Sequence, residues 1–170
     1  MTVRPSWLRA AAYRTFYRLP RRVQVQLVRR LTPNYTVGAV VLLRDPDHRL
    51  LLVRQPHAIG WSLPGGLAER HEAPAQTAAR ELAEEIDVRL DASAIQPANP
   101  NARVDPVSQQ VDLVFTATVP ASLTLRTDPA EIAAVDWYSP DALPALTPPT
   151  QALLGLYELR SAPADLPVPR

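Results

Sequence analysis

The 170-residue sequence predicts an α+β domain, an α/β/α layering in which a mixed β-sheet is sandwiched between helices. The order of elements predicts this class, because strands precede one long amphipathic helix and further strands and a last helix follow it. The composition agrees, since 46% hydrophobic and 21% charged residues are close to the averages of globular proteins. A chain of this length is sufficient for one domain with a substantial core.

The N-terminal segment has the period of two amphipathic helices. The first is predicted over residues 6–19 and ends at Pro20, and the second over residues 21–31 ends at the Thr-Pro-Asn break of residues 32–34. Their apolar stripes consist of Leu8, Ala12, Thr15, Phe16 and Leu19 in the first helix and of Val23, Leu27 and Leu31 in the second. We therefore expect a helical extension ahead of the domain.

The body of the chain alternates between strand and helix patterns. Runs rich in β-branched and aliphatic residues predict strands at 35–43, 50–54, 103–107, 111–119 and 134–138. The first two strands flank an Asp-Pro-Asp turn and are predicted to pair as a hairpin. Helical patterns cover residues 72–86 and 150–160, with a helical turn at 140–143, and residues 60–66 form a loop with a short extended piece.

These patterns predict three regions. Residues 1–34 form a basic amphipathic helical extension, residues 35–160 the folded domain, and residues 161–170, with three prolines, a disordered tail. The chain contains no run of about 20 apolar residues and no secretory pattern, so a cytoplasmic location is expected. Because cysteine is absent, any metal must bind to oxygen or nitrogen ligands.

Charge is distributed unevenly along the chain. Residues 1–44 carry nine arginines and no acidic residue, whereas residues 45–170 carry nine arginines and 17 acidic residues. A basic segment of this kind can dock onto the acidic body of its own chain, a second copy in a homodimer, a membrane surface or nucleic acid. Self-docking or dimerisation is the interpretation that the sequence favours, and the other two partners stay open.

The helix at residues 72–86 carries the most informative pattern. Its apolar stripe lies opposite Glu81, Glu84 and Glu85, which fall at i, i+3 and i+4 and span about 100° of the helix circumference. Three like charges near a helix C-terminus repel one another and oppose the helix dipole. A bound divalent cation would reverse that cost, and hard oxygen ligands select Mg²⁺ or Mn²⁺. The alternative is a solvated acidic face.

The residues around these glutamates resemble the Nudix box, Gly-x5-Glu-x7-Arg-Glu-U-x-Glu-Glu-x-Gly-U, where U is aliphatic. The matching residues are Gly66, Glu72, Arg80, Glu81, Leu82, Glu84, Glu85 and Val88. One position departs, because Asp87 stands where the family has its late glycine. Asp is among the few residues that tolerate the left-handed conformation of such a helix-ending glycine. The change removes no metal ligand and leaves the geometry of the loop open.

This resemblance implies a Nudix fold, a Mg²⁺ (or Mn²⁺) cofactor and an enzyme that hydrolyses a diphosphate bond. The implied metal ligands are the backbone carbonyl of Gly65 and the carboxylates of Glu72, Glu81, Glu84 and Glu85. Glu81 is the first candidate for the general base, with Glu131 in a later loop as the second. Gly66 and Arg80 are implied to be structural, with Arg80 orienting a glutamate such as Glu72.

The substrate is less defined by the sequence. Arg54 could bind phosphate and Trp61 could stack on a base, although an exposed strand arginine and a core aromatic are the ordinary alternatives. A small molecule, a nucleoside triphosphate or a nucleoside diphosphate derivative, is the default substrate. Two alternatives stay open: a lipid or prenyl diphosphate, and a catalytically silent Nudix-type binding module.

Overall fold

The computed structural model describes residues 6–159, which divide at Tyr35 into two compact units. The first unit contains helices α1 (Ser6–Arg18) and α2 (Arg21–Leu31), close to the predicted bounds. The predicted disordered tail, 161–170, lies outside the described residues. Within them, no helix combines the length and apolar character needed to span a bilayer.

The second unit is a mixed sheet flanked by helices, which confirms the predicted fold class. Its strands are β1 (Thr36–Arg44), β2 (Leu50–Arg54), β3 (Gly65–Leu67), β4 (Gln96–Asp105), β5 (Gln110–Thr118) and β6 (Ala134–Tyr138). The helices are α3 (Pro74–Ile86) and α4 (Pro148–Leu154), with short 3-10 turns at Ala92–Ala94 and Gly155–Tyr157. The strand order is β4-β5-β1-β2-β6, and β3 also pairs with β1. β1 runs parallel to β5, and the other pairs are antiparallel.

Alternation along the central strands creates one core on each face of the sheet. On β1, Val41 and Leu43 pack in the cluster that contains the α3 residues Ala78, Leu82 and Ile86. The intervening Leu42 packs in a second cluster with Leu153 and Leu154 of α4. The two helices are therefore held on opposite faces, and the edge of α3 that bears the glutamates is left free for chemistry.

The predicted hairpin of the first two strands is present only at its base. Cα pairing between β1 and β2 is confined to Arg44 and Leu50, because β3 pairs with β1 at Gly38–Val40 and the Val41 amide donates to the Pro64 carbonyl at 3.0 Å. The long partner of β1 is the distant strand β5, in parallel register from Thr36 to Arg44. The turn between β1 and β2 therefore determines only one pair of facing residues, Arg44 and Leu50.

Strand β4 begins seven residues before its predicted start at 103 and ends at Asp105. Its prolines argued against a strand, yet β4 lies at the sheet edge and pairs only with β5 along the strand order. An edge strand tolerates proline because its outer side has no neighbouring strand with which to form hydrogen bonds. The register of the β4–β5 pairing also shifts between Pro97 and Ala102. The last helix is also shorter than predicted, since a 3-10 turn replaces it at Gly155 and leaves Leu156 45% exposed.

Candidate active site

Helix α3 is bounded by local signals that fix its orientation. Pro74 occupies the first turn, and the Gln76 side chain accepts a hydrogen bond from the Ala73 amide at 2.9 Å. At the other end Asp87 adopts φ 56°, and the Val88 amide donates to the Leu82 carbonyl at 3.0 Å. Asp87 therefore takes the left-handed conformation expected at the glycine position of the box.

Two glycines bring the backbone of β3 close to α3. Gly65 has φ +144°, and a Cβ there would collide with the Ala39 carbonyl oxygen of β1. A Cβ on Gly66 would lie 2.5 Å from the Glu81 carboxylate. Gly65 thus allows β3 to approach β1, and Gly66 leaves the space beside the strand that the Glu81 carboxylate occupies.

Arg80 connects three of the predicted site carboxylates. Its Nε donates to Glu72 at 2.9 Å, and one Nη donates to both Glu81 and Glu84 at 2.8 Å each. Its other Nη donates to the Leu67 carbonyl at 3.0 Å, which anchors the guanidinium to the end of β3. One cation therefore holds together a cluster of like charges that would otherwise repel.

Glu72 sits in the most stabilising surroundings of the group. It accepts from Arg80, from the Thr77 hydroxyl at 2.8 Å and from the Glu69 amide at 3.0 Å. The Arg80 hydrogen bond is the main reason that the pKa of Glu72 falls to about 2. Glu72 is therefore ionised throughout the physiological range.

Glu85 differs from Glu72 because its carboxylate is buried in the protein. Its exposed fraction is only 6%, and it accepts a hydrogen bond from the Gly65 amide at 2.9 Å. Burial raises the pKa of Glu85 to about 7, and the charges of Glu81, Glu131 and Glu84 add to this increase. Burial likewise raises the pKa of Glu81. The site therefore concentrates negative charge that is poorly hydrated.

These acids open into one cavity of about 560 Å³. Its lining includes Glu81 and Glu85 from α3, Gly65 and Gly66 from the β3 region, and Glu131 from a later loop. Glu131 is held in a turn in which its amide donates to the Asp128 carbonyl at 3.0 Å. The fold thus brings the second base candidate to the same cavity as the box glutamates, 46 residues after Glu85 in the chain.

The donor set suits a hard divalent ion in kind, because every predicted side-chain ligand is a carboxylate and two of them have raised pKa values. No group of three such side chains within residues 6–159 is already gathered tightly enough to hold an ion. The reason is visible in the contacts, since Glu72, Glu81 and Glu84 are turned toward Arg80. Loading an ion therefore requires Glu81 and Glu84 to exchange their Arg80 contact for the ion.

The two predicted substrate contacts, Arg54 and Trp61, are not among the residues that line the acidic cavity. The Arg54 guanidinium sits 5.6 Å from the centroid of the Trp61 ring, and Trp61 packs edge to face on Tyr138 with centroids 5.0 Å apart. Gln55, the residue that follows Arg54, does line the cavity. Arg54 and Trp61 therefore contact each other, and Trp61 also belongs to the core cluster around α4.

A second cavity of about 360 Å³ adjoins the acidic one and shares Gln55 and Gly65 with it. Sequence analysis missed this site. Its polar lining includes Gln110 and Asp112 from β5 and Thr147 and Thr150 from the start of α4. The available signal was Asp112 itself, the one charged residue of β5.

Asp112 is buried, with 7% of its surface exposed, because it packs over a glycine on the adjacent strand. Gly38 is its register partner, and a Cβ on Gly38 would lie 3.0 Å from Asp112 Oδ1. Gln110 Nε2 donates to the same oxygen at 2.5 Å, and an Arg103 Nη lies 3.7 Å from Oδ2. Asp112 is thus held at the wall of a cavity next to the acidic site.

Comparison with known proteins places these features in a family. The family model described as the NUDIX domain matches residues 34–157. A protein of Bacillus subtilis (strain 168), provisionally named an 8-oxo-dGTP diphosphatase, is 28% identical over 117 residues, 69% of this chain and 75% of that protein. A MutT-like protein of Streptomyces ambofaciens is 32% identical over 109 residues, 64% of this chain and 67% of that protein.

A solved structure agrees with the sequence comparisons. The MutT Nudix hydrolase of Burkholderia pseudomallei superposes with a TM-score of 0.59 and 26% identity, covering 72% of this chain and 97% of that one. The glutamate helix, the glycine pair and the mixed sheet are thus the parts of a known enzyme architecture. The chain belongs to the Nudix family and is an enzyme of the diphosphate-hydrolysing type.

Proposed function

We propose that this protein is a Mg²⁺- or Mn²⁺-dependent hydrolase that cleaves a diphosphate bond in a nucleoside triphosphate or a nucleoside diphosphate derivative. The observation that carries the proposal is the acidic cavity, in which Glu81, Glu85 and Glu131 meet beside the Gly65–Gly66 backbone. The adjoining polar cavity supports a substrate with a second, larger part beyond the diphosphate.

The residues that would hold the metal are Glu81, Glu84 and Glu85, with the Gly65 carbonyl and Glu72 as further ligands. Their chemistry supports this assignment, because buried like charges are stabilised by a cation more than exposed ones. A divalent ion would supply stabilisation of the phosphate charge and activation of water for attack. Arg80 then acts as a positioning residue through Glu72 and the Leu67 carbonyl, since these contacts can remain when Glu81 and Glu84 turn from Arg80 to the ion.

The chain's own groups supply the rest of the hydrolysis. A water oxygen attacks one phosphorus, the bond from that phosphorus to the bridging oxygen breaks, and the water proton passes to a carboxylate. Glu81 is the first candidate for this base and Glu131 the second, and both line the cavity. The other phosphate leaves with the bridging oxygen.

The substrate class follows from the two joined cavities. A diphosphate in the acidic cavity would direct its nucleoside toward Gln110, Asp112, Thr147 and Thr150, which offer donors and acceptors for the edge of a base. The provisional name of the Bacillus subtilis relative, an 8-oxo-dGTP diphosphatase, supports the same class. Arg54 and Trp61 line neither of the two cavities, so the proposed substrate contacts lie at other residues.

A panel of diphosphates tests the proposal. The panel contains nucleoside triphosphates with oxidised forms, ADP-ribose, nucleotide sugars and a prenyl diphosphate, each assayed with Mg²⁺ and with EDTA. We expect turnover of a nucleotide class that disappears with EDTA and in Glu84→Gln, while Glu158→Gln, a change at an exposed glutamate, behaves as wild type. Turnover of the prenyl diphosphate alone would overturn the substrate class. Metal binding without turnover would indicate a substrate outside the panel, and the absence of both would favour a silent binding module.

A further inference from the structure

The two N-terminal helices display apolar side chains at the protein surface. The exposed fractions are 67% for Trp7, 72% for Tyr17 and 75% for Leu31, and none of the residues of α2 is buried. Helices of this length gain most of their stability from packing their apolar stripe against something else. The exposed aromatic residues of α1 and the exposed stripe of α2 therefore call for a partner of apolar character.

The apolar side chains of the two helices meet in an open groove of about 530 Å³. The groove is lined by Ala12, Tyr13, Phe16, Tyr17, Leu27 and Val28. The corner between the helices is fixed by the Gln24 side chain, which donates to the Leu19 carbonyl at 2.8 Å. Both stripes thus contribute to one apolar surface, which we call the helical-pair surface and define by these six lining residues.

Positive charge lies on the polar sides of the same two helices. Residues 1–35 contain eight arginines and no acidic residue. Arg14 and Arg18 of α1 and Arg29 and Arg30 of α2 are exposed. At 100° per residue, Arg30 borders the stripe of Val23, Leu27 and Leu31, whereas Arg29 lies on the opposite, polar side of α2. The partner must therefore offer apolar contact and negative charge together.

We propose that residues 6–31 dock onto the surface of an anionic lipid bilayer. Amphipathic helices with arginine on the polar side and aromatic or aliphatic residues on the other lie in the plane of the interface, with the apolar side in the acyl boundary. Trp7, Tyr13 and Tyr17 are residue types that favour the headgroup level. The arginines pair with lipid phosphates, and the docking brings a diphosphate hydrolase to a membrane surface.

Two other partners would each meet only one of the two requirements, apolar contact and negative charge. A second copy that paired helix to helix would oppose two arginine-rich, acid-free segments, which repel each other. Nucleic acid would pair with the arginines through its phosphates but would leave Leu27 and Val28 without apolar contact. An anionic bilayer meets both requirements. Self-docking or dimerisation, which the sequence favoured, is the competing outcome of the experiments below.

Vesicle co-sedimentation of the full-length protein tests this proposal. Vesicles contain phosphatidylcholine alone or mixed with phosphatidylglycerol, and binding is expected only to the anionic mixture, falling as salt increases. The double variant Arg29→Gln/Arg30→Gln should bind roughly 30-fold more weakly, at about fivefold per arginine. The matched control Arg70→Gln/Arg89→Gln removes two exposed arginines of the other unit and should bind as wild type.

A second variant probes the apolar contact. Leu27→Asp should abolish vesicle binding, whereas Val107→Asp, at a 93% exposed valine of the other unit, should not. Circular dichroism shows whether Leu27→Asp unfolds the helices. If it does, tryptophan fluorescence of wild type and Trp7→Phe is compared instead. The blue shift of tryptophan emission on anionic vesicles should be lost in Trp7→Phe, because Trp7 enters the interface.

All these variants should hydrolyse a soluble substrate as wild type does, so failure here is separable from failure of the proposed hydrolase activity. The proposal is overturned by absence of binding to anionic vesicles, or by equal binding of wild type and Arg29→Gln/Arg30→Gln. It is also overturned if the chain binds an oligonucleotide but not vesicles, or if Leu27→Asp converts a dimer into a monomer without affecting vesicle binding.

Discussion

The Glu85 carboxylate accepts a hydrogen bond from the Gly65 amide at 2.9 Å, and this contact joins the last turn of α3 to the first residue of β3. It is the point at which the glutamate helix and the glycine pair, 20 residues apart, become one site. Glu85 is buried there, and burial raises its pKa to about 7. The stability of the metal-free protein should therefore vary with pH through the ionisation of Glu85.

The pH dependence has a defined sign. An acid whose pKa rises from 4.5 in the unfolded chain to about 7 in the fold stabilises the protein fully below pH 4.5, and this contribution is lost as the pH rises through 7. Glu85→Gln should thus be more stable than wild type at pH 8 by about 2–3 kcal/mol and similar at pH 4. Urea unfolding with EDTA measures this, and parallel curves for both proteins would contradict it.

Arg80 should be essential for the geometry of the site. Arg80→Lys keeps a charge but cannot reach Glu72, Glu81, Glu84 and the Leu67 carbonyl together, so we expect a 10- to 100-fold loss of kcat/KM, roughly the usual cost of losing a residue that orients metal ligands. Arg89→Gln is the control, because Arg89 is 82% exposed and pairs only with Asp87 within the described residues. An Arg80→Lys enzyme with wild-type kcat/KM would show that the Arg80 contacts are dispensable.

Substitution of Gly65 and of Gly66 by alanine should have different effects. Gly66→Ala pushes against the flexible end of Glu81, so we expect a normal fold but at least a tenfold loss of activity. Gly65→Ala collides with the backbone of β1 and adopts a strained φ, so we expect a stability loss of about 2 kcal/mol or more. Thermal unfolding and kcat/KM, measured on both, separate the effects. Equal loss of stability in the two variants would refute this distinction.

Asp112 should select the substrate without taking part in the hydrolysis. Asp112→Asn turns an acceptor-only carboxylate into an amide, so a base that donates to it should lose about 10- to 100-fold in kcat/KM, mainly through KM. Asp141→Asn makes the same change at an exposed site and should have no effect. A loss that is uniform across nucleotides and confined to kcat would contradict a role in recognition.

The parts of the fold that the sequence predicted are those governed by local rules. The spacing of Glu81, Glu84 and Glu85 and the alanine stripe opposite them specify α3, and its observed bounds differ from the prediction by only two residues. The early part of β4 was missed because its prolines contradict strand propensity. Only its edge position, a property of the whole sheet, makes them acceptable there.

The same division applies to the site. The box residues could be found because their spacing lies within one helix and its lead-in loop. The meeting of Glu131 with Glu85 and the burial of Asp112 against Gly38 depend on contacts between distant strands and loops. The parallel pairing of β1 with β5 creates the second contact, and no local pattern encodes that register.

The central claim is that carboxylates of the acidic cavity hold a divalent ion required for diphosphate hydrolysis. The most direct measurement is kcat/KM against Mg²⁺ concentration for the best substrate, with wild type and Glu81→Gln compared in parallel after circular dichroism has verified both folds. We predict a saturable requirement for Mg²⁺ in wild type and a loss of roughly 10²- to 10⁴-fold in the variant. Undiminished turnover in EDTA, or wild-type turnover by Glu81→Gln, would contradict the account.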